Sequence, residues 1–366
     1  MNRIYNFSPG PATLPLEVLQ EVQAEFLDLQ FNGKGLGMSI VEVSHRSKAY
    51  DEIHFNAEKE FKELLGLGDD YRVLFLQSGA SNQFSMVPLN FLPEGRVADY
   101  IITGSWAEKA CAEAGRLGKV NIAATGKDNH FTQLPTQFTL SDNPAYVHLT
   151  SNNTIYGTQW RDFTKLGLQP EKNILVADMS SDILSYPFKA DDFGIIYAGA
   201  QKNLGPAGLT VVIIRKELAE KSPAHLPVLM KYDTFAKNDS LYNTPPVFNI
   251  YVMYRVLGWI KRQGGLSAMA EHNAAKAKLI YDVIDKHPDF YLGHAHKDAR
   301  SYMNITFRVP DEDLEKKFVA ASEAAGLSNL KGHRLVGGLR ASIYNAMTME
   351  GCRALAKFMT DFVAKA

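Results

Sequence analysis

Short, nearly continuous apolar runs alternate with longer segments of helical spacing through the first two thirds of the chain. Five of the runs have the length and the β-branched or aromatic content of strands, namely residues 71–76, 100–103, 145–149, 173–177 and 194–198. Strands that alternate with helices are typical of a mostly parallel sheet that is covered by helices on its two faces. The pattern therefore predicts an α/β fold.

A sixth apolar run, residues 209–214, departs from this alternation. Only a short loop containing glycine and proline, residues 203–208, separates it from Lys202, which follows the preceding strand. A crossover between parallel strands needs about a dozen residues or more. We therefore expect this strand to run antiparallel to its predecessor.

The pattern changes near residue 251. Two long helical stretches meet at Gly264 and Gly265, and they are followed by strand and helix patterns at residues 303–309, 312–325, 339–342 and 348–364. This mixture indicates a smaller α+β domain. We therefore divide the chain into a large domain, residues 16–260, and a small domain, residues 261–366. The proline-rich residues 1–15 are expected to pack on the small domain.

Composition and charge exclude several function classes. The 39 Lys and Arg residues balance 40 Asp and Glu residues, so the formal net charge of −1 provides no overall field for nucleic acid or an anionic membrane. No segment approaches the roughly 18 apolar residues of a membrane span, and prolines interrupt the N-terminus. Cys111 and Cys352 are the only cysteines and lie in helical patterns, which favours neither a disulfide framework nor a metal site. We expect a cytoplasmic protein without a metal.

Two predicted strands are followed by reactive side chains, Asp178 and Lys202. Ligands of parallel α/β sheets bind at the carboxyl ends of the strands, so both side chains are expected to face one site. A lysine amine can form a Schiff base with the aldehyde of pyridoxal 5′-phosphate (PLP), and an aspartate against the pyridine nitrogen keeps that nitrogen protonated. A strand-end aspartate is also a common helix cap, and a loop lysine is usually solvated. It is their joint placement that favours a cofactor site.

Smaller motifs fall where the rest of such a cofactor would lie. Residues 78–81 form a tight turn between strand and helix, in which backbone N–H groups and the Ser81 hydroxyl could approach a phosphate. Trp106 could stack on a pyridine ring, and Thr154 could donate a hydrogen bond to its phenolic oxygen. Taken singly, each of these residues also fits a plain helix start, a core position or a turn.

In order and spacing these motifs resemble the phosphoserine aminotransferases, a branch of the class V aminotransferases among the PLP-dependent enzymes of fold type I. The resemblance extends from near residue 4 to the C-terminal helix. It is carried by the segments NFSPGPATLP (6–15), VSHR (43–46), SNNT (151–154), ADMSS (177–181), AQKN (200–203), YNTPP (242–246), KGHR (331–334) and GGLRASIYN (337–345).

The resemblance implies that the large domain binds PLP and that Lys202 and Asp178 are the catalytic pair. It implies that the cofactor also contacts Ala80, Ser81, Trp106, Thr154, Gln201, Asn243 and Thr244, with the last two reaching across a homodimer interface. It further implies that the substrate is bound by His45, Arg46, His333, Arg334 and Arg340.

The two His-Arg pairs also carry a chemical argument of their own. A pocket that accepts either a phosphate or a carboxylate at the far end of an amino acid suits guanidinium groups, which offer forked and permanently charged donors. A lone His-Arg dipeptide is more often surface charge. The chain departs from the family pattern at two positions, since some members carry an arginine in place of Ser81 and a serine in place of Pro9.

The reaction implied is reversible amino transfer between L-glutamate and 3-phosphohydroxypyruvate, which gives O-phospho-L-serine and 2-oxoglutarate in serine biosynthesis. Phosphohydroxythreonine, a vitamin B6 precursor, is expected as a second substrate. The alternative is another class V enzyme, such as a small-keto-acid transaminase or a cysteine desulfurase, although a desulfurase needs a reactive thiol on a mobile loop. A nucleotide-binding protein is disfavoured because neither G-x-G-x-x-G after the first strand nor G-x-x-x-x-G-K-[ST] occurs.

Overall fold

The computed structural model describes residues 3–169 and 172–365. Residues 1, 2 and 366, which fall in the predicted N-terminal segment and small domain, lie outside the described residues, as do residues 170 and 171. The α-helices of the described part are α1 (Leu16–Glu25), α2 (Lys48–Leu65), α3 (Gln83–Phe91), α4 (Ser105–Gly115), α5 (Lys216–Ala219), α6 (Tyr232–Lys237), α7 (Val247–Arg262), α8 (Gly265–Lys286), α9 (Glu312–Ala324) and α10 (Met349–Val363).

The strands fall into one large sheet and several small ones. In chain order they are β1 (Tyr5–Asn6), β2 (Gln30–Phe31), β3 (Lys34–Gly35), β4 (Tyr71–Gln77), β5 (Val97–Ile102), β6 (Lys119–Thr125), β7 (Val147–Thr150), β8 (Leu175–Asp178), β9 (Ile195–Gly199), β10 (Leu209–Arg215), β11 (Leu292–Gly293), β12 (Asn304–Arg308), β13 (Leu327–Ser328) and β14 (Leu339–Ser342).

The large sheet has seven strands in the order β4-β10-β9-β8-β7-β5-β6. Strands β9, β8, β7, β5 and β6 pair in parallel, while β10 pairs antiparallel with both β9 and β4. The α/β fold and the antiparallel direction of the strand after Lys202 are therefore confirmed. The sheet also contains β6, which the apolar pattern did not single out.

The central strands are buried on both faces, as expected of parallel strands covered by helices. All residues of β7, β8 and β9 are buried. Alternate residues point to opposite faces, so Ala177 packs in one core cluster with helices such as α2 and α7, while Val176 packs in the other with α3 and α4. Asp178 shares the face of Val176 and ends its strand, which directs its carboxylate toward α3 and α4.

A third core cluster lies in the C-terminal part of the chain. It joins β12, β14, α8, α9 and α10. The N-terminal segment contributes Phe7 to this cluster, and β1 pairs in parallel with β13. These contacts attach the chain start to the C-terminal core cluster. The division into domains at residues 16–260 and 261–366 stays a prediction, because α8 places Leu266 and Met269 in the core beneath the large sheet.

Two features are absent from residues 3–169 and 172–365, a membrane-spanning helix and a cluster of metal ligands. No helix there is long and apolar enough to cross a membrane. No group of three or more His, Cys, Asp or Glu residues there could hold a metal ion.

A buried lysine ties α8 to the segment that follows β14. Lys276 has no exposed surface, and its Nζ donates to the carbonyl oxygens of Ile343 (3.1 Å), Tyr344 (2.7 Å) and Met347 (3.0 Å). The same segment reaches the loop of Lys202, because the backbone N–H of Asn345 donates to Asn203 Oδ1 at 3.0 Å. Lys276 therefore anchors the segment that links β14 to the end of β9.

We expect Lys276→Met to lower the free energy of unfolding by about 3 kcal/mol, because it leaves buried carbonyl oxygens without a donor. Urea denaturation of the purified protein measures this. Lys278→Met is the matched control on the same helix, since Lys278 is exposed and its ion pair with Asp282 is worth about 0.5 kcal/mol or less. Equal effects of the two substitutions would contradict the anchoring role.

Candidate active site

A cavity of about 120 Å³ opens at the carboxyl ends of β7 and β8 and beside the loop that follows β9. This is where parallel α/β sheets bind ligands. Seven of the residues predicted to form a cofactor site line it together, namely Ala80, Ser81, Trp106, Thr154, Asp178, Gln201 and Lys202.

Asp178 is the last residue of β8 and is buried. Its Oδ1 accepts hydrogen bonds from the backbone N–H of Ser180 (3.0 Å) and from the Ser180 hydroxyl (2.6 Å). Burial raises the pKa of Asp178, whereas the Ser180 hydrogen bonds and the charge of Lys202 oppose that rise. The two bonds fix the carboxylate at the cavity wall.

Lys202 lies three residues after β9 ends and projects into the same cavity. Its Nζ donates to Thr154 Oγ1 at 2.8 Å. Burial lowers the pKa of Lys202 to about 8, although the charge of Asp178 opposes the shift. About one amine in ten is therefore neutral at pH 7, a far larger fraction than for an exposed lysine. Such an amine can act as a nucleophile and as a proton carrier.

The turn between β4 and α3 forms another wall of the cavity. Ala80–Asn82 is a 3-10 helix that leads directly into α3. A side chain at Gly79 would meet no atom within 4 Å, so the backbone there is open to a ligand. Exposed N–H groups at such a helix start favour an anion. The turn of residues 78–81 is therefore suited to bind a phosphate.

The groups that line the cavity fit pyridoxal 5′-phosphate. It offers an amine for the aldehyde, a carboxylate for the ring nitrogen, an indole ring for stacking and N–H groups for the phosphate. In addition, the buried hydroxyl of Thr150, which lines the cavity, has no hydrogen-bond partner among the described residues. A buried hydroxyl without a partner is costly, and a bound ligand would satisfy it.

Arg340 approaches the site from β14. It is buried, and its Nη1 donates to the carbonyl oxygen of Thr154 at 3.1 Å, so the guanidinium lies beside the residue that also holds Lys202. Its Nε has no partner in the part of the chain that the structure describes. A buried guanidinium with an unused N–H group is suited to a carboxylate ligand.

His333 and Arg334 lie on the loop between β13 and β14. Burial lowers the pKa of His333, and the charges of Arg340, Arg334 and Lys109 lower it further. His333 and Arg334 line a separate cavity of about 530 Å³. Because the charge of Arg340 acts on the pKa of His333, the pair lies near Arg340, and its role in substrate binding stays a prediction.

Besides Arg340, His333 and Arg334, four further predicted residues do not line the cavity of Lys202. His45 and Thr244 line a different cavity of about 370 Å³, and Arg46 is next to His45 in sequence. The side-chain amide of Asn243 donates to Gln77 Oε1 at 3.1 Å. These four residues therefore lie apart from Lys202 within one chain. They can contribute to its site only if a second copy of the chain brings them there.

Sequence reasoning missed several cavity residues, namely Gly79, Phe84, Thr150, Asn152, Ser180 and Ser181. Asn152 donates to Ser181 Oγ (2.8 Å) and to Asn304 Oδ1 on β12 (2.8 Å), and therefore connects the cavity to the C-terminal part of the chain. The signal was available for four of them. Gly79, Asn152, Ser180 and Ser181 lie in the segments 78–81, 151–154 and 177–181, which the sequence analysis had singled out.

A second buried acid supports the turn that follows Asp178. Asp182 accepts hydrogen bonds from the Ser151 hydroxyl, from Gln159 Nε2 (3.1 Å) and from the Tyr186 hydroxyl (3.4 Å). Burial raises the pKa of Asp182 to about 7, and these donors oppose the rise. Its contacts all lie outside the cavity, so Asp182 holds the turn rather than a ligand.

Comparison with known proteins places this architecture in a family. The model of the family described as aminotransferase class-V matches residues 4–355. A phosphoserine aminotransferase of Herpetosiphon aurantiacus is 53% identical over 364 residues, which cover 99% of each chain.

Solved structures agree with the sequence matches. The phosphoserine aminotransferase of Bacillus circulans subsp. alkalophilus has a TM-score of 0.96 at 52% identity, covering 100% of this chain and 99% of that one. The PLP-bound phosphoserine aminotransferase of Trichomonas vaginalis has a TM-score of 0.90 at 39% identity, covering 98% of this chain and 100% of that one. With its fold, its strand-end cavity and these matches, the chain belongs to the class V aminotransferase family.

Proposed function

We propose that this chain is a PLP-dependent phosphoserine aminotransferase that moves an amino group between L-glutamate and 3-phosphohydroxypyruvate. The products are O-phospho-L-serine and 2-oxoglutarate, and the reaction is reversible. The observation that carries the proposal is the cavity in which the Lys202 amine and the Asp178 carboxylate meet beside Trp106, with Arg340 bonded to Thr154 at its edge. The names of the close relatives support the choice of substrates.

The cavity residues divide between the parts of the cofactor. When bound, pyridoxal 5′-phosphate supplies an aldehyde that accepts the amino group and a ring that withdraws electrons from the substrate Cα. Asp178 would hold the ring nitrogen, Trp106 would cover one ring face, and the residues at the start of α3 would hold the phosphate together with Gln201. Asn243 and Thr244 of a second copy would complete the phosphate site.

Lys202 has two tasks in this reaction. Its neutral amine would hold the cofactor covalently until the substrate amine takes its place. Once free, the amine would take up the proton of the substrate Cα and carry it within the site. The pKa of about 8 suits this exchange, because the amine can both accept and give up a proton near neutral pH. Thr154 Oγ1 accepts a hydrogen bond from the Lys202 amine at 2.8 Å, which holds the amine in the cavity.

Asp178 stabilises charge rather than moving a proton to the substrate. Its carboxylate would face a positively charged ring nitrogen, which favours the ionised acid and offsets the effect of burial on its pKa. The Ser180 N–H and hydroxyl hold the carboxylate in one orientation, so little reorganisation is needed when negative charge develops on the substrate.

The substrate is positioned by cations at its two ends. Arg340 would bind the α-carboxylate through its unused N–H group. His333 and Arg334 would bind the distal phosphate or the side-chain carboxylate of glutamate. His45 and Arg46 would reach the same distal group from a second copy of the chain.

A homodimer with shared sites is part of this proposal. His45 and Thr244 line one cavity of the same chain, so the substrate-binding and phosphate-binding residues of the predicted interface lie side by side. Exposed apolar side chains flank them, since Val41 is 55% exposed and Tyr242 is 49% exposed. Such a patch is suited to burial against another chain. A cytoplasmic location and activity on phosphohydroxythreonine stay predictions.

A half-reaction spectrum tests the proposed function. The PLP-loaded protein is mixed in turn with O-phospho-L-serine, L-glutamate, L-alanine and L-cysteine. We expect the visible absorbance of the bound cofactor to disappear with the first two amino acids and to persist with the other two. Rapid loss with alanine and none with phosphoserine would instead indicate a small-keto-acid transaminase.

The desulfurase alternative finds little support in the cysteines. Cys111 and Cys352 are both buried, on α4 and α10. Burial raises the pKa of Cys111 and raises that of Cys352 to about 12. A buried thiol that resists ionisation is a poor nucleophile.

The pKa of Lys202 predicts how cofactor capture depends on pH. Only the neutral amine attacks the aldehyde, so the rate at which apoprotein takes up PLP should rise about tenfold per pH unit below 8 and level off above it. Stopped-flow absorbance with PLP in excess measures this rate. A rise that continues toward pH 10 would show that the amine is not perturbed.

A further inference from the structure

The N-terminal half of α4 presents a cation beside the active site. Lys109 is exposed, and its Nζ lies 4.4 Å from the centroid of the Trp106 ring, which forms part of the cavity wall. No carboxylate in residues 3–169 or 172–365 forms an ion pair with Lys109. The neighbouring acid, Glu108, is instead paired with Lys127 at 3.7 Å.

Other cations converge on the same place. The loop of His333 lies beside α4, because Leu335 and Gly337 line one cavity with Glu108. The charges of Arg340, Arg334 and Lys109 all lower the pKa of His333. Of the two acids that line the cavity of His333 and Arg334, Glu312 and Glu315, the second is paired with Arg308 at 3.9 Å. Lys109 comes from α4, His333 and Arg334 from the loop before β14, and Arg340 from β14 itself. A group of like charges drawn from three separate elements is unfavourable unless an anion binds among them.

The charge of the anion decides which ligand gains most from this arrangement. A phosphate monoester carries between one and a half and two negative charges near pH 7, roughly twice the charge of a carboxylate. Lysine offers a compact charge with three rotatable donors, which suits a phosphate that already accepts forked donors from arginine. An additional ammonium therefore favours the phosphorylated substrate over glutamate.

We propose that Lys109 is a substrate-binding residue that contacts the distal phosphate and sets the preference for the phosphorylated amino acid over glutamate. The proposal rests on the proposed function, and it adds a residue of the same chain to the distal anion site. Binding draws the ammonium from the Trp106 ring toward the phosphate, which a flexible side chain on an exposed helical turn permits.

The opposing explanation is that Lys109 only supports the Trp106 ring. A cation over an indole face contributes about 0.5–1 kcal/mol at an exposed site. Loss of that support would affect both substrates equally, because both react against the same ring. The ratio between the two substrates therefore separates the two roles.

The test compares Lys109→Gln and Lys109→Arg with Lys127→Gln in the PLP-loaded protein. Lys127 is the control because it is an exposed lysine of the same surface that is paired with Glu108. Half-reactions give the half-saturating concentrations of O-phospho-L-serine and L-glutamate. Isothermal titration gives the affinity for inorganic phosphate, since the cofactor already fills the phosphate site at α3.

We expect Lys109→Gln to raise the half-saturating concentration of phosphoserine about tenfold and that of glutamate about threefold or less. Inorganic phosphate should bind about tenfold more weakly, Lys109→Arg should recover most of the loss, and Lys127→Gln should change neither substrate. Equal effects on the two substrates, or unchanged phosphate affinity, would overturn the proposal. If the unaltered protein does not react with phosphoserine at all, the proposed function fails first, which is a distinguishable outcome.

Discussion

Lys202→Ala should remain folded, hold no covalently bound cofactor and lose at least about 10⁴-fold in turnover. The loss is this large because a single amine both anchors the cofactor and carries the proton at the substrate Cα. Burial lowers the pKa of this amine to about 8, so removing it deletes an unfavourable buried charge and should not destabilise the apoprotein. Absorbance spectra, circular dichroism and the phosphoserine half-reaction measure the three outcomes.

Lys202→Arg serves as the comparison for that variant. An arginine keeps a cationic side chain at the same position but stays protonated, so it cannot form the covalent bond. We expect it to be as inactive as the alanine variant. Residual turnover above about one thousandth of the original rate in either variant would indicate that a different lysine carries the reaction.

Asp178→Asn should lower kcat by about 10³-fold while the protein stays folded and binds PLP. The asparagine oxygen can still accept the hydrogen bonds from Ser180, which hold Oδ1 at 3.0 and 2.6 Å, so the geometry is preserved and only the charge is lost. Without that charge the ring nitrogen loses its proton more readily, and negative charge at the substrate Cα is less well stabilised. Steady-state kinetics with phosphoserine and 2-oxoglutarate measure kcat.

Asp99→Asn is a matched control for the aspartate. Asp99 is also a buried strand acid, on β5, and its carboxylate accepts hydrogen bonds from the backbone N–H of Ser141 (2.8 Å) and the Ser141 hydroxyl (2.7 Å). We expect its replacement to lower the unfolding temperature with little change in kcat. If the two variants lose activity to the same extent, the effect at Asp178 is structural rather than electronic.

The central part of the fold could be predicted because the core strands are apolar throughout. Strands β8 and β9 are fully buried, so their sequences read as strands, and the short link to β10 determines its antiparallel direction. The edge strand β6 was not predicted because its buried and exposed residues do not alternate regularly, and Ile122 is 56% exposed. Strand β4 at the opposite edge is mostly buried and has a continuous apolar run, which β6 lacks.

The candidate site was predictable where a chemical role restricts the residue type. An amine, an acid and an aromatic ring at strand ends could be combined into one hypothesis, and the cavity brings Lys202, Asp178 and Trp106 together. Asn152 was missed because its role depends on a contact with Asn304, which lies 152 positions away. Lys109 was missed for a similar reason, since an exposed lysine on a helix has no distinctive pattern until the loop of His333 is placed beside it.

The central claim is that the amine of Lys202 holds the cofactor opposite the carboxylate of Asp178. Borohydride reduction of the PLP-loaded protein, followed by peptide mass spectrometry, tests this most directly because it fixes the attachment point permanently. We expect a single pyridoxyl group on Lys202, and none when the protein is first treated with O-phospho-L-serine. Attachment at another lysine, or labelling that phosphoserine does not prevent, would contradict it.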